Sequence, residues 1–204
     1  MATTFSTVEV GPRAAVNPVL IDLPERIETE RLIVRPPRFG DGPAVNAAIR
    51  ESIAELRPWM PWAQTEPTVE QTEENMRRAV AKFAAREDLR LQFHLKDGTF
   101  VGSSGLHRIN WDVPKFEIGY WVRTSCAGRG YVTEAVAAIA RLAFETLRAA
   151  RVEIRCDEQN VRSRRVAERL GFAQEGTLRN QERDPRGELR NTVVYSKIAM
   201  AGVT

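Results

Sequence analysis

The stretch Ala127-Gly128-Arg129-Gly130-Tyr131-Val132, followed from Thr133 by a run with helical apolar spacing, is the part of this sequence best equipped for chemistry. A strand that ends in a glycine turn and opens a helix makes an anion site. The first N–H groups of the helix have no internal partners and point outward. The helix dipole favours negative charge there, and glycine lets the main chain approach a phosphate with no Cβ in between. Neither common nucleotide fingerprint fits. A Walker loop spaces its glycines more widely and continues into Lys-Ser/Thr, whereas Gly128 and Gly130 are separated by Arg129 alone. A dinucleotide fingerprint needs a third glycine where Thr133 stands, at the start of a βαβ unit rather than after antiparallel strands. A phosphate site of another kind and a plain tight turn are both consistent with the pattern.

Other reactive side chains are sparse. Cys126 and Cys156 lack CxxC spacing, and the two histidines, His94 and His107, do not complete a zinc set, so no metal is expected. No His or Asp stands at a recognisable spacing from Cys156, which argues against a cysteine nucleophile and for packing or a thiol beside a ligand. Low cysteine content points to a reducing, cytoplasmic compartment. Lys and Arg number 30 against 27 Asp and Glu, a net charge of +3. That balance suits a small anionic ligand, and with no basic block a nucleic-acid partner is not expected. No apolar window is long enough to span a membrane, and MATTFSTVEV lacks the regions of a secretory signal.

Residues 1–23 show little periodicity and read as a flexible leader; 24–204 read as a single domain. Ile27 to Arg35 is strand-like, stopped by Pro36 and Pro37, and Phe39 to Ser52 has helical spacing at Ala44, Val45, Ala48 and Ile49. Prolines break Arg57 to Thr68, after which Thr68 with Gln71 resembles a capping box for a helix to about Arg86. Leu91, Phe93 and Leu95 alternate, Asp97-Gly98 signals a hairpin, and Phe100 to Asn110 and Phe116 to Val122 complete a meander. The helix Thr133 to about Ala149 then leads to a strand at Arg151 to Arg155. A short helix from Asn160 to Leu170 has Asn160 as N-cap and Gly171 as stop. Strands at Phe172 to Leu178 and Thr192 to Met200 close the chain, with polar Arg179 to Asn191 read as a loop. The order βααβββαβαββ predicts an α/β domain of the α+β type, with a mixed sheet and helices on its faces.

Ile118 to Val136 (IGYWVRTSCAGRGYVTEAV) resembles the acetyl-CoA motif of the GCN5-related N-acetyltransferases (GNAT). It is most similar to the ribosomal-protein alanine/serine acetyltransferase branch, the RimJ/RimL-like group. IETERLIVRPP, LRPWMPW and the run from Asn160-Val-Arg-Ser163 through Glu168 to Phe172 match the same branch, so the resemblance covers about Ile27 to Ala199. It implies the GNAT fold: a mostly antiparallel sheet of about seven strands flanked by about four helices, with a strand pair splayed at the cofactor site. Two departures stand out. The family carries Gln or Arg where this chain has Ala127, and Gly or Ala where it has Val132.

By this resemblance the co-substrate is acetyl-CoA. Ala127, Gly128, Arg129, Gly130, Tyr131, Val132 and Thr133 would cradle its pyrophosphate. Glu117 to Val122 would pair with the pantetheine arm, bringing in Tyr120, Trp121 and Val122, and an N–H of Trp121 or Val122 would meet the thioester oxygen. Asn160 and Ser163 would contact the cofactor, and Ser163 would protonate the departing thiolate. One or two of Arg162, Arg164 and Arg165 would meet phosphates. Glu182 is the implied general base, with Tyr195 and Glu117 as weaker candidates. Glu134 reads as a first-turn acid at a positive helix end. Trp59, Trp62 and His107 would line the acceptor side.

The expected reaction is direct acetyl transfer to a primary amine in a ternary complex, the amine being a protein N-terminus. A small-molecule amine acceptor and a catalytically weak acyl-CoA sensor remain open at this point, as does a homodimer built through the aromatic loop or the last strand.

Overall fold

The architecture, taken from a computed structural model, is described for residues 17–199. The strands are β1 (Ile27–Glu28), β2 (Leu32–Arg35), β3 (Leu89–Leu95), β4 (Phe100–Asn110), β5 (Lys115–Val122), β6 (Arg151–Asp157), β7 (Ala173–Arg183) and β8 (Leu189–Lys197). The helices are α1 (Gly42–Leu56), α2 (Val69–Ala85), α3 (Tyr131–Glu145) and α4 (Val161–Arg169). All eight strands form one sheet in the order β1-β2-β3-β4-β5-β6-β8-β7.

The eighth strand arises because IETERLIVR does not run straight. Thr29 folds the segment back: its N–H donates to Leu32 O at 2.9 Å and its hydroxyl oxygen accepts from Leu32 N at 3.0 Å. A hairpin of β1 and β2 results. Arg179 to Asn191 is not the expected loop either. β7 runs on to Arg183 and β8 begins at Leu189, leaving a short turn in which Asp184 Oδ1 accepts from the amides of Arg186 and Glu188, both at 2.9 Å. A strand at a sheet edge with solvated side chains has the composition of a loop, so polarity misleads there. Of the expected leader, residues 1–16 lie outside the described residues. Pro18–Leu20 form a 3-10 turn, and Ile21 and Leu23 rest against the core.

Apolar alternation gives each strand a face for a helix. On one face α3 presses Ala135, Val136, Ile139, Ala140 and Ala143 onto Val34, Phe93, Phe116, Ile118 and Val152. On the other, Val45, Ala48 and Ile49 of α1 meet Met76 of α2 and Phe100 of β4. The Thr68–Gln71 capping box starts α2 as expected. Asp41 stands at the N-cap of α1 without a capping side-chain hydrogen bond: its carboxylate oxygens take bonds of 2.8 Å from Arg35, and Oδ2 accepts from Arg38 N at 2.7 Å.

One feature of the topology prepares a site. β5 and β6 are parallel neighbours, paired only at Lys115–Arg151, Phe116–Val152 and Glu117–Glu153. Past those residues β5 stays on β4 as far as Val122 and β6 stays on β8 as far as Asp157, so a slot opens between them. This is the splayed pair implied by the resemblance.

His94, 8% exposed and packed edge-on against Phe100, is pushed down to about 4 by burial and then by the positive charge of Arg35. The unfolded chain therefore takes up a proton that the folded chain refuses, and stability falls as pH drops from 6.5 toward 4, by at most about 3 kcal/mol from this group. Urea unfolding of the parent and of His94→Phe across that window will show a steeper loss in the parent; parallel curves would contradict the assignment.

Candidate active site

A cavity of about 1100 Å³ runs from the glycine turn through the β5–β6 slot to the space between α1 and α2. It is large for a small-molecule pocket. Gly128, Gly130, Tyr131, Val132 and Thr133 line one end, with Ala127 beside them. Gly128 and Gly130 have φ of +76° and +80°, the left-handed region that side chains resist. Gly130 is the N-cap of α3 and has no side chain to cap it, so the first amides of the helix, which line the cavity end, are left unpaired by any cap.

The turn is held from outside. Glu134 in the first turn of α3 accepts from Thr29 Oγ1 at 2.6 Å, from Arg31 N at 2.9 Å and from Arg31 Nε at 2.7 Å. Arg31 also donates to Arg129 O at 2.9 Å and stacks over the Tyr131 ring. Burial would raise the Glu134 carboxyl, but the Thr29 and Arg31 donors outweigh it and hold it below the ordinary range. A second strut comes from α1: Ser125 N donates to Glu51 Oε1 at 2.8 Å and Thr124 N to Ser52 Oγ at 2.9 Å. The reading of Glu134 as a mere first-turn acid missed this clamp. Its signal in the sequence was the Thr29-Glu30-Arg31 turn, which has no chemistry of its own. The side chain of Arg129 is not part of the cavity lining; its carbonyl is what the clamp uses.

α4 walls the slot. Asn160 Oδ1 accepts from Ser163 N at 3.1 Å, the cap expected of it. Ser163 Oγ lies 2.9 Å from the Tyr120 hydroxyl, which donates to Ser163 O at 3.0 Å. Burial raises the Tyr120 phenol above its ordinary range, so it stays protonated. Cys156 borders the same spot, and burial raises its thiol too, which disfavours the thiolate a nucleophile needs. Arg162, Arg165 and Arg169 line the cavity, whereas Arg164 turns away and donates to Tyr195 OH at 3.2 Å. Arg169 lies inside the matching Asn160-to-Phe172 run, but it stands at the last turn of α4, away from the first-turn arginines that the sequence singled out.

The far end is aromatic. Trp59 and Trp62 line it, and Trp62, Trp121 and Phe100 stack in series with centroids 5.9 Å and 5.6 Å apart. Tyr120 and Val122 face α3 and α4 while Trp121, on the opposite pleat, faces this end. His107 reaches the cavity and pairs with Asp88. The implied base does not reach it. Glu182 stands exposed on β7 opposite Arg190, outside the lining. Tyr195 is buried, donating to Glu168 Oε1 at 2.9 Å. Glu117 is also outside the lining, with Arg108 at 3.4 Å and Arg155 at 3.6 Å. Among the described residues no cluster of His, Cys, Asp or Glu could hold a metal, and no helix is long and apolar enough to cross a membrane.

With this geometry in hand, the comparisons with known proteins place the chain: residues 31–173 match the acetyltransferase (GNAT) domain family, and the protein belongs to that family. It is 40% identical over 86 residues to the ribosomal N-acetyltransferase YdaF of Bacillus subtilis, across 42% of this chain and 47% of that protein. It is 28% identical over 133 residues to the ribosomal-protein-serine acetyltransferase of Escherichia coli, across 64% of this chain and 74% of that protein. The chain thus spans about half the length of the first curated relatives it matches. In fold it is similar to RimL, a ribosomal L7/L12 alpha-N-protein acetyltransferase solved with coenzyme A, at a TM-score of 0.81 and 21% identity, covering 87% of this chain and 100% of that one.

A Cβ at Gly130 would sit 3.4 Å from Arg31 Nη2 on a backbone that L-residues adopt at a cost of about 1–2 kcal/mol. Gly130→Ala is expected to weaken coenzyme A binding about tenfold in titration calorimetry. Unchanged affinity would show that the turn does not carry the phosphate contacts.

Proposed function

We propose that the protein transfers an acetyl group from acetyl-CoA to a primary amine, and that the acceptor is the N-terminal amine of a protein, of the ribosomal kind. The observation that carries this reading is the continuity of the cavity: an amide-lined anion site, an unpaired strand edge and an aromatic chamber lie along one path.

Each segment of the path meets one demand of the reaction. Amides from Gly128 to Val132 and the Thr133 hydroxyl hold the pyrophosphate, with Arg162, Arg165 and Arg169 adding charge beside the adenosine end. Because these contacts are mostly main-chain, Ala127 and Val132 can replace the residues usual in the family. The pantetheine arm lies along β5 as an added strand. It runs from the Val122 end toward Glu117 and stops short of the Glu117–Glu153 pair, where the slot closes, which sets the thioester between Gly119 and Val122. An N–H of Trp121 or Val122 then stabilises the carbonyl oxygen as it gains charge. The departing sulfur takes its proton from the Tyr120–Ser163 pair.

The acceptor enters between α1 and α2, past Trp59, Met60 and Trp62. Flat aromatic walls suit the first residues of a peptide. The names of the relatives from Bacillus subtilis and Escherichia coli support a ribosomal protein.

The test is an acetyl-CoA assay on N-terminal peptides of ribosomal proteins set against small amines, with products weighed by mass spectrometry. Amide formation on a peptide N-terminus is expected. Tight acetyl-CoA binding with no amide on any amine would replace the reading by an acyl-CoA sensor. Ser163→Ala is expected to lower kcat about 10- to 100-fold while leaving coenzyme A affinity within about twofold; full turnover would remove the proton-donor role.

A further inference from the structure

His107 lines the cavity, and of its two ring nitrogens one, Nδ1, has a protein partner. Its Nδ1 lies 2.6 Å from Asp88 Oδ2. A carboxylate accepts, so Nδ1 carries a proton, and in the neutral form of the ring Nε2 is the nitrogen with a free lone pair. Burial raises the Asp88 carboxyl, but the hydrogen bond from His107 and the positive charges beside it, Arg90 and Lys82 among them, outweigh it and hold Asp88 below the ordinary range, as the accepting partner.

The imidazole lies over a bare patch of sheet. Gly105 and Gly119 are cross-strand partners on β4 and β5. A Cβ on Gly105 would sit 3.1 Å from His107 Cε1; one on Gly119 would sit 3.5 Å from Cδ2 and 3.9 Å from Nε2. The two glycines therefore make the room that the ring fills, and its Nε2 edge overlies Gly119, next to the closed end of the slot. The β4–β5 register slips just after His107, and Arg108 takes a φ of +47°. A bulge of this kind turns a side chain out of its regular direction, and a non-glycine residue in that region is strained.

We infer that His107 is the general base of the acetyl transfer and that Asp88 is its positioning residue. The inference rests on the amine-acetylation reading above. In the step, the amine nitrogen forms a bond to the acetyl carbonyl carbon and the carbon–sulfur bond breaks. The amine proton passes to His107 Nε2, and the coenzyme A sulfur takes a proton from the Tyr120–Ser163 pair. The imidazolium keeps its Nδ1–H on Asp88, gives the second proton to solvent, and the hydroxyl pair is refilled from solvent. Base and acid thus stand on opposite faces of β5, His107 over Gly119 and Ser163 beside Tyr120. The charged groups that face the pair are Glu117 across the strand, Arg90 and Lys82 toward Asp88, and Arg108 and Arg155 toward Glu117. Glu117 is engaged by the two arginines and lies outside the cavity lining, as does Glu182.

His107→Gln is expected to lower kcat/KM for the amine about 100-fold or more, with coenzyme A affinity within about twofold of the parent, and to remove the acid limb of the pH–kcat/KM profile. Asp88→Asn is expected to move that limb and lower kcat with little change in KM. A measurement on the parent alone guards against a variant that fails to fold. The chain has two histidines and His94 is 8% exposed, so diethyl pyrocarbonate will modify His107 and abolish turnover, and bound acetyl-CoA with amine will slow the loss. Turnover that survives full modification of His107, or an acid limb unchanged in His107→Gln, would overturn the inference. A parent that binds acetyl-CoA yet acetylates no amine would instead overturn the functional reading beneath it.

Discussion

Unpaired amides at the start of α3 are the constraint around which the molecule is arranged. Free N–H groups at a helix end are costly when nothing meets them and attractive to an anion when they are fixed in direction. The chain fixes them with charge rather than with bulk. Glu134 gathers Thr29 and Arg31 from the first hairpin, and Arg31 reaches on to the Arg129 carbonyl. Glu51 and Ser52 hold the approach from β5. The glycine turn is thus braced from the β1–β2 hairpin and from α1, elements far from it in sequence. Such bracing keeps a turn of two left-handed glycines in one shape before any ligand arrives, which lowers the ordering cost of binding.

The splay of β5 from β6 continues the path that begins at those amides. α3 crosses from one strand to the other, and its start is pinned to the hairpin at the far side of the sheet. The two strands share three residue pairs and then part. What the sheet forgoes in ladder bonds becomes an edge able to pair with an extended ligand. Either side of β5 then meets a different wall: alternation sends Tyr120 toward α4 and Trp121 and the Gly119 surface toward α1 and α2.

Much of this was legible in the sequence because local signals carried it. The Gly128–Gly130 turn, the Asn160 cap and the Thr68 capping box each need only a few neighbouring residues, and each stands where the spacing put it. The errors share a cause. The hairpin inside IETERLIVR depends on one threonine turn, and the β7–β8 hairpin is written in polar residues that a solvated edge strand and a loop use alike. The site was less legible than the fold. Arg31, Glu51 and Asp88 act through partners far away in the chain, and no spacing rule connects Asp88 to His107 or Thr29 to Glu134. Glu182 had a motif-based argument but stands on the exposed edge, away from the cavity.

The central claim concerns specific amides, so it is best tested by watching them. Amide resonances of 15N-labelled protein should be followed during titration with coenzyme A and, separately, with pantetheine, which lacks the diphosphate. The account predicts large shifts at Gly128, Gly130, Tyr131 and Val132 with coenzyme A and little change there with pantetheine. Coenzyme A that binds while those amides stay unmoved would contradict it.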